Sequence, residues 1–233
     1  MAYHRSPAIR IALALLLAIS LGGFAACAPD DPDPIDPAPV EPTPTPPPDD
    51  DVEEPDLPTS IDTSTEDIRD QDGEVLLAID DLPDEIRPDE DASFGGPTRF
   101  TNAVLSDDGR WIAIGSAGVA HGYGSLYDVV EQEHHYVAFQ FEGEVAPYSW
   151  SPDDRFALFL VRSPAPIQSL KVVDRDDIQE FVEDTGFVVE VDREGDLEPP
   201  FSYEPTEWRD PHTLCFEFEG DEYCVDVGTQ ELQ

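Results

Sequence analysis

The stretch that decides the fold is Trp150-Ser151-Pro152-Asp153-Asp154-Arg155-Phe156-Ala157-Leu158-Phe159, a polar turn followed by a run of apolar residues. It echoes Leu105-Ser106-Asp107-Asp108-Gly109-Arg110-Trp111-Ile112-Ala113-Ile114, and Ser151 follows Ser106 by 45 residues. A second echo, 44 residues apart, joins Ser125-Leu126-Tyr127-Asp128-Val129 to Ser169-Leu170-Lys171-Val172-Val173. Two matches at nearly one spacing indicate an internal repeat.

The polar part of each copy has the composition of a tight turn. Serine and aspartate oxygens cap backbone donors, and glycine or aspartate accepts unusual backbone angles. The turn residues are Ser106, Asp107, Asp108 and Gly109 in one copy and Ser151, Pro152, Asp153 and Asp154 in the other. The aromatic and apolar residues after each turn predict a strand, so a unit reads as strand, turn, strand, loop, strand. A weaker third copy runs from Trp208 to Val227.

At these residues the chain resembles the blade repeats of TolB-like β-propellers, whose signature is a Ser-Pro-Asp-Gly turn before an aromatic and apolar strand. The resemblance covers roughly Arg99 to Val227 and implies antiparallel four-stranded blades. From Phe94 to Gln233 there is room for only about three blades of ~45 residues, whereas closed propellers have about 4 to 8. We therefore expect an all-β fold of blade-like sheets: an incomplete propeller, another stack of such sheets, or one part of an assembly.

The C-terminal third contains a predicted disulfide. In an exported chain, Cys215 and Cys224 flank a segment that reads as a β-hairpin turning at Glu219-Gly220. In that register the two cysteines face each other directly across the strands. The sequence therefore predicts that the bond locks this hairpin.

The N-terminus carries an export signal. Arg5 and Arg10 precede an apolar run of 11 residues from Ile11 to Leu21, which is too short to span a bilayer and has the proportions of a signal-peptide core. With Phe24-Ala25-Ala26-Cys27 behind it, this region resembles the signal and lipobox of bacterial lipoproteins. The resemblance implies removal of residues 1–26, a lipid on Cys27 and, with Ala28 next, passage to the outer membrane. An ordinary secretory signal cleaved nearby is the alternative.

A spacer follows the signal. Residues 28–60 hold 12 of the chain's 24 prolines and 11 Asp or Glu, with no Lys or Arg. Proline removes backbone donors and like charges repel, so we expect a disordered acidic tether over residues 27–65 and a folded all-β domain over residues 66–233. A polyproline ligand or glycosylated stalk around Thr43-Pro44-Thr45-Pro46 is the alternative for this segment.

Charge excludes one class of partner. The chain has 53 Asp and Glu against 12 Lys and Arg, a formal net charge of −41, and Lys171 is its single lysine. Such a surface repels nucleic acid, so no nucleic-acid partner is expected. Adaptation to high salt, which screens the self-repulsion, is the favoured explanation of the charge; an acidic surface meant for cations or basic partners is the other.

Three short motifs suggest chemistry. Asp184-Thr185-Gly186 resembles the catalytic triplet of aspartic proteases, but Glu183 precedes it, no second triplet occurs and an ordinary turn is favoured. Adjacent strand residues point to opposite faces, so His134-His135 reads as solvated or edge histidines. The acidic runs Asp70-Gln71-Asp72-Gly73, Asp174-Arg175-Asp176-Asp177 and Asp192-Arg193-Glu194-Gly195-Asp196 lack the ligand pattern of an EF-hand. We expect no catalytic set, resident metal or cofactor.

Together these features predict an envelope lipoprotein that is anchored by Cys27 and is not an enzyme. We expect its blades to bind another protein or an envelope polymer. Two alternatives remain open: a hydrolase that uses loop carboxylates, and a calcium-dependent adhesin-like module.

Overall fold

The computed structural model describes residues 56–165, 167–191 and 202–233. The expectations for the signal, for Cys27, for residues 28–55 of the tether and for the acidic run at residues 192–196 lie outside these ranges. In the described part the chain forms antiparallel strands with short turns and two short 3-10 helices, Ile79–Asp81 and Val182–Asp184. No helix in these ranges has the length and apolar character needed to cross a membrane.

Three four-stranded sheets dominate the fold, and we call them blades 1, 2 and 3. Blade 1 consists of β6 (Arg99–Leu105), β7 (Trp111–Ala117), β8 (His121–Asp128) and β9 (Glu133–Phe141). Blade 2 consists of β10 (Glu144–Trp150), β11 (Phe156–Arg162), β12 (Gln168–Asp174) and β13 (Phe187–Val188). Blade 3 consists of β14 (Tyr203–Asp210), β15 (Thr213–Phe218), β16 (Asp221–Asp226) and β17 (Glu231–Leu232). Each strand pairs with its sequence neighbour, and none of the three sheets closes on itself, which confirms the predicted all-β, blade-like fold.

Two smaller sheets precede blade 1. The N-terminal sheet has three strands, β1 (Ile61–Thr63), β2 (Asp67–Asp70) and β3 (Val75–Ala78). A two-stranded ribbon follows it, β4 (Glu85–Ile86) and β5 (Phe94–Gly95). Strand β1 pairs with β2 but belongs to the segment that the sequence analysis placed in the tether. Only two of its three residues, Ile61 and Thr63, are half-buried. A pattern this short does not distinguish a strand from the acidic sequence around it.

Apolar side chains fill the space between neighbouring sheets. The N-terminal sheet packs on blade 1 through residues that include Ile68, Leu77 and Phe100. Blades 1 and 2 share a layer built around Leu126, Val137 and Phe159, and blades 2 and 3 share one built around Leu158, Leu170 and Phe216. Burying one such side chain stabilises the fold by about 1.5–3 kcal/mol. The sheets therefore form a row in which each inner sheet is covered on both faces.

The repeated Ser-x-Asp turns are built alike. The Ser106 hydroxyl donates to Asp108 Oδ1 at 2.6 Å and accepts from the Trp111 N–H at 2.9 Å. In blade 2 the Ser151 hydroxyl donates to Asp153 Oδ1 at 2.6 Å and accepts from the Phe156 N–H at 2.9 Å. Serine and aspartate thus satisfy the backbone donors that the turn would otherwise bury without partners.

The two turns differ at their last residue, where the backbone is left-handed. Gly109 has a φ of 73°, and a Cβ there would lie 2.3 Å from the Pro58 carbonyl oxygen, so only glycine fits. Asp154 occupies the corresponding place with a φ of 58°. Its carboxylate accepts hydrogen bonds from the backbone N–H groups of Asp107, at 2.8 Å, and Asp108, at 2.9 Å. The second turn therefore clamps the first one across the blade interface.

An arginine follows each turn and holds the third strand of its own blade. Arg110 donates to Asp128 at 2.9 Å, and Arg155 donates to Asp174 at 2.7 Å. Burial opposes ionisation of Asp128, but hydrogen bonds from Arg110 and from the backbone outweigh it and hold the pKa of that carboxyl below its usual value. Each of these aspartates is the last residue of its strand, β8 or β12, and its role is structural.

The hairpin of blade 3 has the predicted register. Cys215 pairs with Cys224 across β15 and β16, and the two are joined by a disulfide. Glu219 and Gly220 both have positive φ, 54° and 85°, as a tight two-residue hairpin turn requires. The bond and its neighbour Glu217 lie on the face turned away from blade 2, because the alternate residues Phe216 and Phe218 belong to the shared apolar layer.

We expect Asp154→Gly to lower the free energy of unfolding by about 1–3 kcal/mol, because two buried, charge-assisted hydrogen bonds are lost while the left-handed backbone stays permitted. Urea unfolding measures the change. Asp107→Ala is the matched control, since it alters the donor residue but keeps its N–H and the clamp. Equal midpoints for Asp154→Gly and the unmodified chain would contradict the clamp.

Candidate functional site

A groove opens between blades 1 and 2 at the end opposite the Ser-x-Asp turns. Its volume is about 540 Å³, and its walls come from the beginnings of β6, β8 and β10 and from the loop of residues 118–120. This size is within the range of about 300–1,000 Å³ that ligand pockets occupy. The groove therefore combines residues of both blades at a place where loops, rather than the structural turns, face solvent.

Glycines let the two blades approach each other along the floor of the groove. A Cβ on Gly122 would lie 2.7 Å from the Glu144 Cα atom of blade 2, and one on Gly115 would lie 2.9 Å from Pro147 Cδ of blade 2. Larger residues at either place would push the strands apart. The Asn102 amide in turn donates to the Pro147 carbonyl of blade 2 at 3.2 Å. The groove floor is thus a direct contact between backbones.

A buried hydroxyl in the groove wall lacks a partner. Ser116 lines the groove and is only 1% exposed, and its Oγ atom makes no hydrogen bond among the described residues. Burying a hydroxyl without a partner costs about 1–3 kcal/mol. A hydrogen-bonding ligand in the groove would remove that cost.

The charges of the groove are divided between its walls. Arg99 lies on the blade 1 side and, within the described ranges, forms no ion pair, whereas Glu142 and Glu144 lie at the blade 2 side. Glu144 is 3.5 Å from Arg162 in an exposed pair that leaves it accessible to solvent. An isolated arginine opposite two carboxylates suits a ligand that carries both an acceptor and a donor group.

Aromatic side chains form the rim beside the groove. His121 lines the groove, and its ring lies 4.8 Å from that of Phe141 and 5.2 Å from that of Phe94, measured between centroids. Phe141 is 52% exposed, and Val119 in the neighbouring loop is 99% exposed. Exposed aromatic and apolar side chains beside a polar groove are typical of binding surfaces.

The residues singled out from the sequence lie elsewhere. The eight turn residues are at the opposite end of the blades, where the side chains of Ser106, Asp108, Ser151, Asp153 and Asp154 hold the turns described above. Asp184-Thr185-Gly186 is a turn after a 3-10 helix: the buried Thr185 hydroxyl donates to the Phe181 carbonyl at 3.1 Å, and Gly186 has a φ of 68°. Asp70 likewise caps its own turn by accepting from the Asp72 and Glu74 N–H groups. These carboxylates and hydroxyls are held by local backbone.

One cluster of metal-ligating residue types occurs among the described residues, formed by Cys215, Glu222 and Cys224. Its sulfur atoms are bonded to each other. Neither sulfur is a thiolate, and thiolate is the form in which cysteine binds metal. The cluster is therefore a disulfide with a carboxylate beside it.

The structure corrects the interpretation of His134 as a solvated or edge histidine. Both of its ring nitrogens are buried and have no hydrogen-bond partner among the described residues, and its ring meets Tyr136 edge-on at 4.6 Å. Burial, with a smaller contribution from the neighbouring His135, lowers the pKa of His134 to about 4. The side chain is thus held in its neutral form.

The groove residues escaped the sequence analysis because none of them belongs to a motif. Arg99, Ser116 and His121 come together through the pairing of β6, β7 and β8 in blade 1, and Glu144 at the start of blade 2 completes the groove. The one available signal is the set of glycines at 115, 122 and 124 in two adjacent strands and at 118 in the loop between them, since glycine within a strand marks close approach of another backbone.

His134 makes stability depend on pH. Its folded pKa lies below the ordinary value of 6.5, so the unfolded chain binds the proton more readily than the folded chain does. The stability that comes from keeping His134 neutral is therefore complete above pH ~6.5 and is lost as pH falls toward ~4. We expect His134→Phe to reduce the loss of unfolding free energy between these pH values by about 1–3 kcal/mol in urea titrations. His135→Phe is the control and should keep the slope. Equal slopes for His134→Phe and the unmodified chain would contradict the assignment.

Comparisons with known proteins give distant structural neighbours. No protein-family model matches the chain, and no curated protein matches it significantly. A prolyl endopeptidase, solved in a study of inter-domain dynamics in catalysis and specificity, is similar over 72% of this chain and 26% of its own, with 17% identity and a TM-score of 0.46. An uncharacterized protein of Listeria monocytogenes is similar over 57% and 39%, with 12% identity and a TM-score of 0.38. TolB from Acinetobacter baumannii is similar over 72% and 47%, with 13% identity and a TM-score of 0.35. This chain spans less than half of each of these solved chains.

Proposed function

We propose that the protein is a binding module, without catalysis of its own, that recognises a segment of a partner protein in the groove between blades 1 and 2. The observation that carries the proposal is the groove itself, where Arg99 and the Ser116 hydroxyl, neither with a partner in the described part of the chain, share about 540 Å³ with two carboxylates. A peptide segment carries donors, acceptors and side chains of both charges, so it can satisfy all of them. An envelope polymer is the other outcome of the test below.

Charge supports this choice of ligand. The protein carries a formal charge of −41, so a purely anionic ligand would be repelled over most of its approach. A segment of mixed charge can place its acceptor at Arg99 and its donors at Glu142 and Glu144. Recognition then depends on the arrangement of charges rather than on net attraction.

The competing hydrolase would need two carboxylates that share one site, as a general acid and a base or nucleophile do. The two carboxylates that share the groove, Glu142 and Glu144, are exposed to solvent, and Glu144 pairs with Arg162. Asp108, Asp128, Asp153 and Asp174 each accept hydrogen bonds from a serine, an arginine or a backbone group of their own blade. The partners of these four aspartates support a structural role for them. Binding is therefore the function that the geometry favours.

Site-specific photocrosslinking in native envelopes tests the groove. We expect a photoreactive amino acid at Val119, on the groove rim, to crosslink a partner, and Arg99→Gln to reduce the yield by about tenfold through the loss of one charged contact. The same amino acid at Val130, which is exposed at the far end of blade 1, is the matched control. Equal crosslinking at both positions, or yield at Val119 that Arg99→Gln leaves unchanged, would contradict the proposal. A carbohydrate adduct in place of a protein would assign the envelope polymer.

We further propose that a lipid on Cys27 holds the module at a membrane, in line with the lipobox-like sequence before it. Several acyl chains on one residue contribute ~0.8 kcal/mol for each buried methylene, enough for stable attachment. We expect the unmodified chain to enter the detergent phase on phase separation and Cys27→Ser to stay in the aqueous phase. Identical partitioning, or an unmodified residue 27 by mass spectrometry, would contradict the anchor without affecting the groove.

A further inference from the structure

Lys171, the single lysine of the chain, is buried in the interior of the fold. It lies on β12 and is 8% exposed, and its Nζ atom donates one hydrogen bond, to the Val182 carbonyl at 2.8 Å. Within the described ranges no carboxylate forms an ion pair with it. An ammonium has three N–H donors, so two of them have no partner in the described part of the chain.

The lysine borders a second cavity, separate from the groove. This cavity has a volume of about 460 Å³ and lies between β9 of blade 1 and strands β11, β12 and β13 of blade 2, beside the second 3-10 helix. Five apolar residues form most of its lining, namely Pro88, Phe139, Val161, Val182 and Val188. Gln140, Ser169 and Glu183 supply its polar edge. Lys171 therefore borders a space with apolar and polar walls that is large enough for a small ligand.

This position changes the chemistry of the amine. Burial penalises the ammonium form and lowers the pKa of Lys171 to about 8, although the negative charge of Glu183 acts in the opposite direction. At pH 7 roughly one-tenth of such an amine is neutral, against roughly one part in 2,500 for a lysine with an ordinary pKa of about 10.4. The neutral amine is the nucleophile, and desolvation in a hydrophobic pocket is one of the established ways to activate lysine.

We propose that Lys171 is a nucleophilic amine that forms an imine with a small apolar aldehyde or ketone bound in this cavity. The ammonium first loses a proton to water or to Glu183. The nitrogen lone pair then attacks the carbonyl carbon, and the resulting carbinolamine loses water as the carbon–nitrogen double bond forms. No oxidant or reductant is needed. The apolar lining holds the carbon chain of the ligand, so the site selects apolar carbonyl compounds over polar ones.

Reductive trapping tests the proposal in the full chain. Benzaldehyde is the probe, and cyanoborohydride supplies the hydride that converts the imine to a stable secondary amine, which peptide mass spectrometry locates. Arg209→Lys provides the matched control within the same molecule, because Arg209 is half exposed on blade 3. We expect Lys171 to be modified at pH 7 at least about tenfold faster than the introduced lysine, with a half-maximal rate near pH 8.

Three results would overturn the proposal. The first is modification of Lys171 only after urea unfolds the protein, which would make the lysine a structural support of the Val182 segment. The second is a half-maximal pH for Lys171 equal to that of the introduced lysine. The third is reaction with formaldehyde but not with benzaldehyde, which would exclude an apolar ligand. Lys171→Met keeps an apolar side chain of similar length and should abolish the adduct while the protein stays folded.

Discussion

Burial of both faces of blade 2 is the interaction on which the rest of the structure depends. Leu158 and Leu170 face blade 3, whereas Ala157 and Phe159 face blade 1, so successive residues of one strand enter different apolar layers. A four-stranded sheet alone exposes both faces, and neither could be covered from within the same sheet. The blades are therefore stable only as neighbours, and every groove or cavity between them is a consequence of that packing.

An open row of sheets has two end faces. One carries a disulfide and a carboxylate, and the other carries an ion pair. Beyond blade 3 the outer face carries the disulfide together with Glu217, while at the other end Arg69 and Asp67 pair on the N-terminal sheet. Terminal repeats of stacked architectures need such polar outer faces to stay soluble. The disulfide also restricts the unfolded chain at the place where only one neighbouring blade contributes packing. The row thus needs no closure into a ring.

The sequence predicted those features that depend on neighbours along the chain. The Ser-x-Asp turns, the blade strands and the facing cysteines follow from local turn chemistry and from the period of two in a strand. Features that depend on contacts between repeats were not predictable in this way. The sequence does not show why an aspartate, Asp154, replaces glycine, because its partners are backbone N–H groups of the preceding turn. It also does not show that His134 is buried, because that depends on packing against neighbours such as the Tyr136 ring. Strand β1 was missed because three residues carry too little pattern.

The scarcity of cations shows where binding and reactivity are concentrated. Of the nine arginine and lysine residues in the described ranges, six form ion pairs, and Arg87 lies over the Phe181 ring at 5.3 Å. Only Arg99 and Lys171 have neither kind of partner. In a chain with 53 acidic residues, most cationic side chains at the surface lie within reach of a carboxylate. A cation without an ion pair is therefore one that the fold positions away from carboxylates. Arg99 is kept apart at the groove and Lys171 at the apolar cavity, and both places are formed by the interface between blades 1 and 2. That interface, rather than the repeated turns, is where this architecture leaves chemistry available to a ligand.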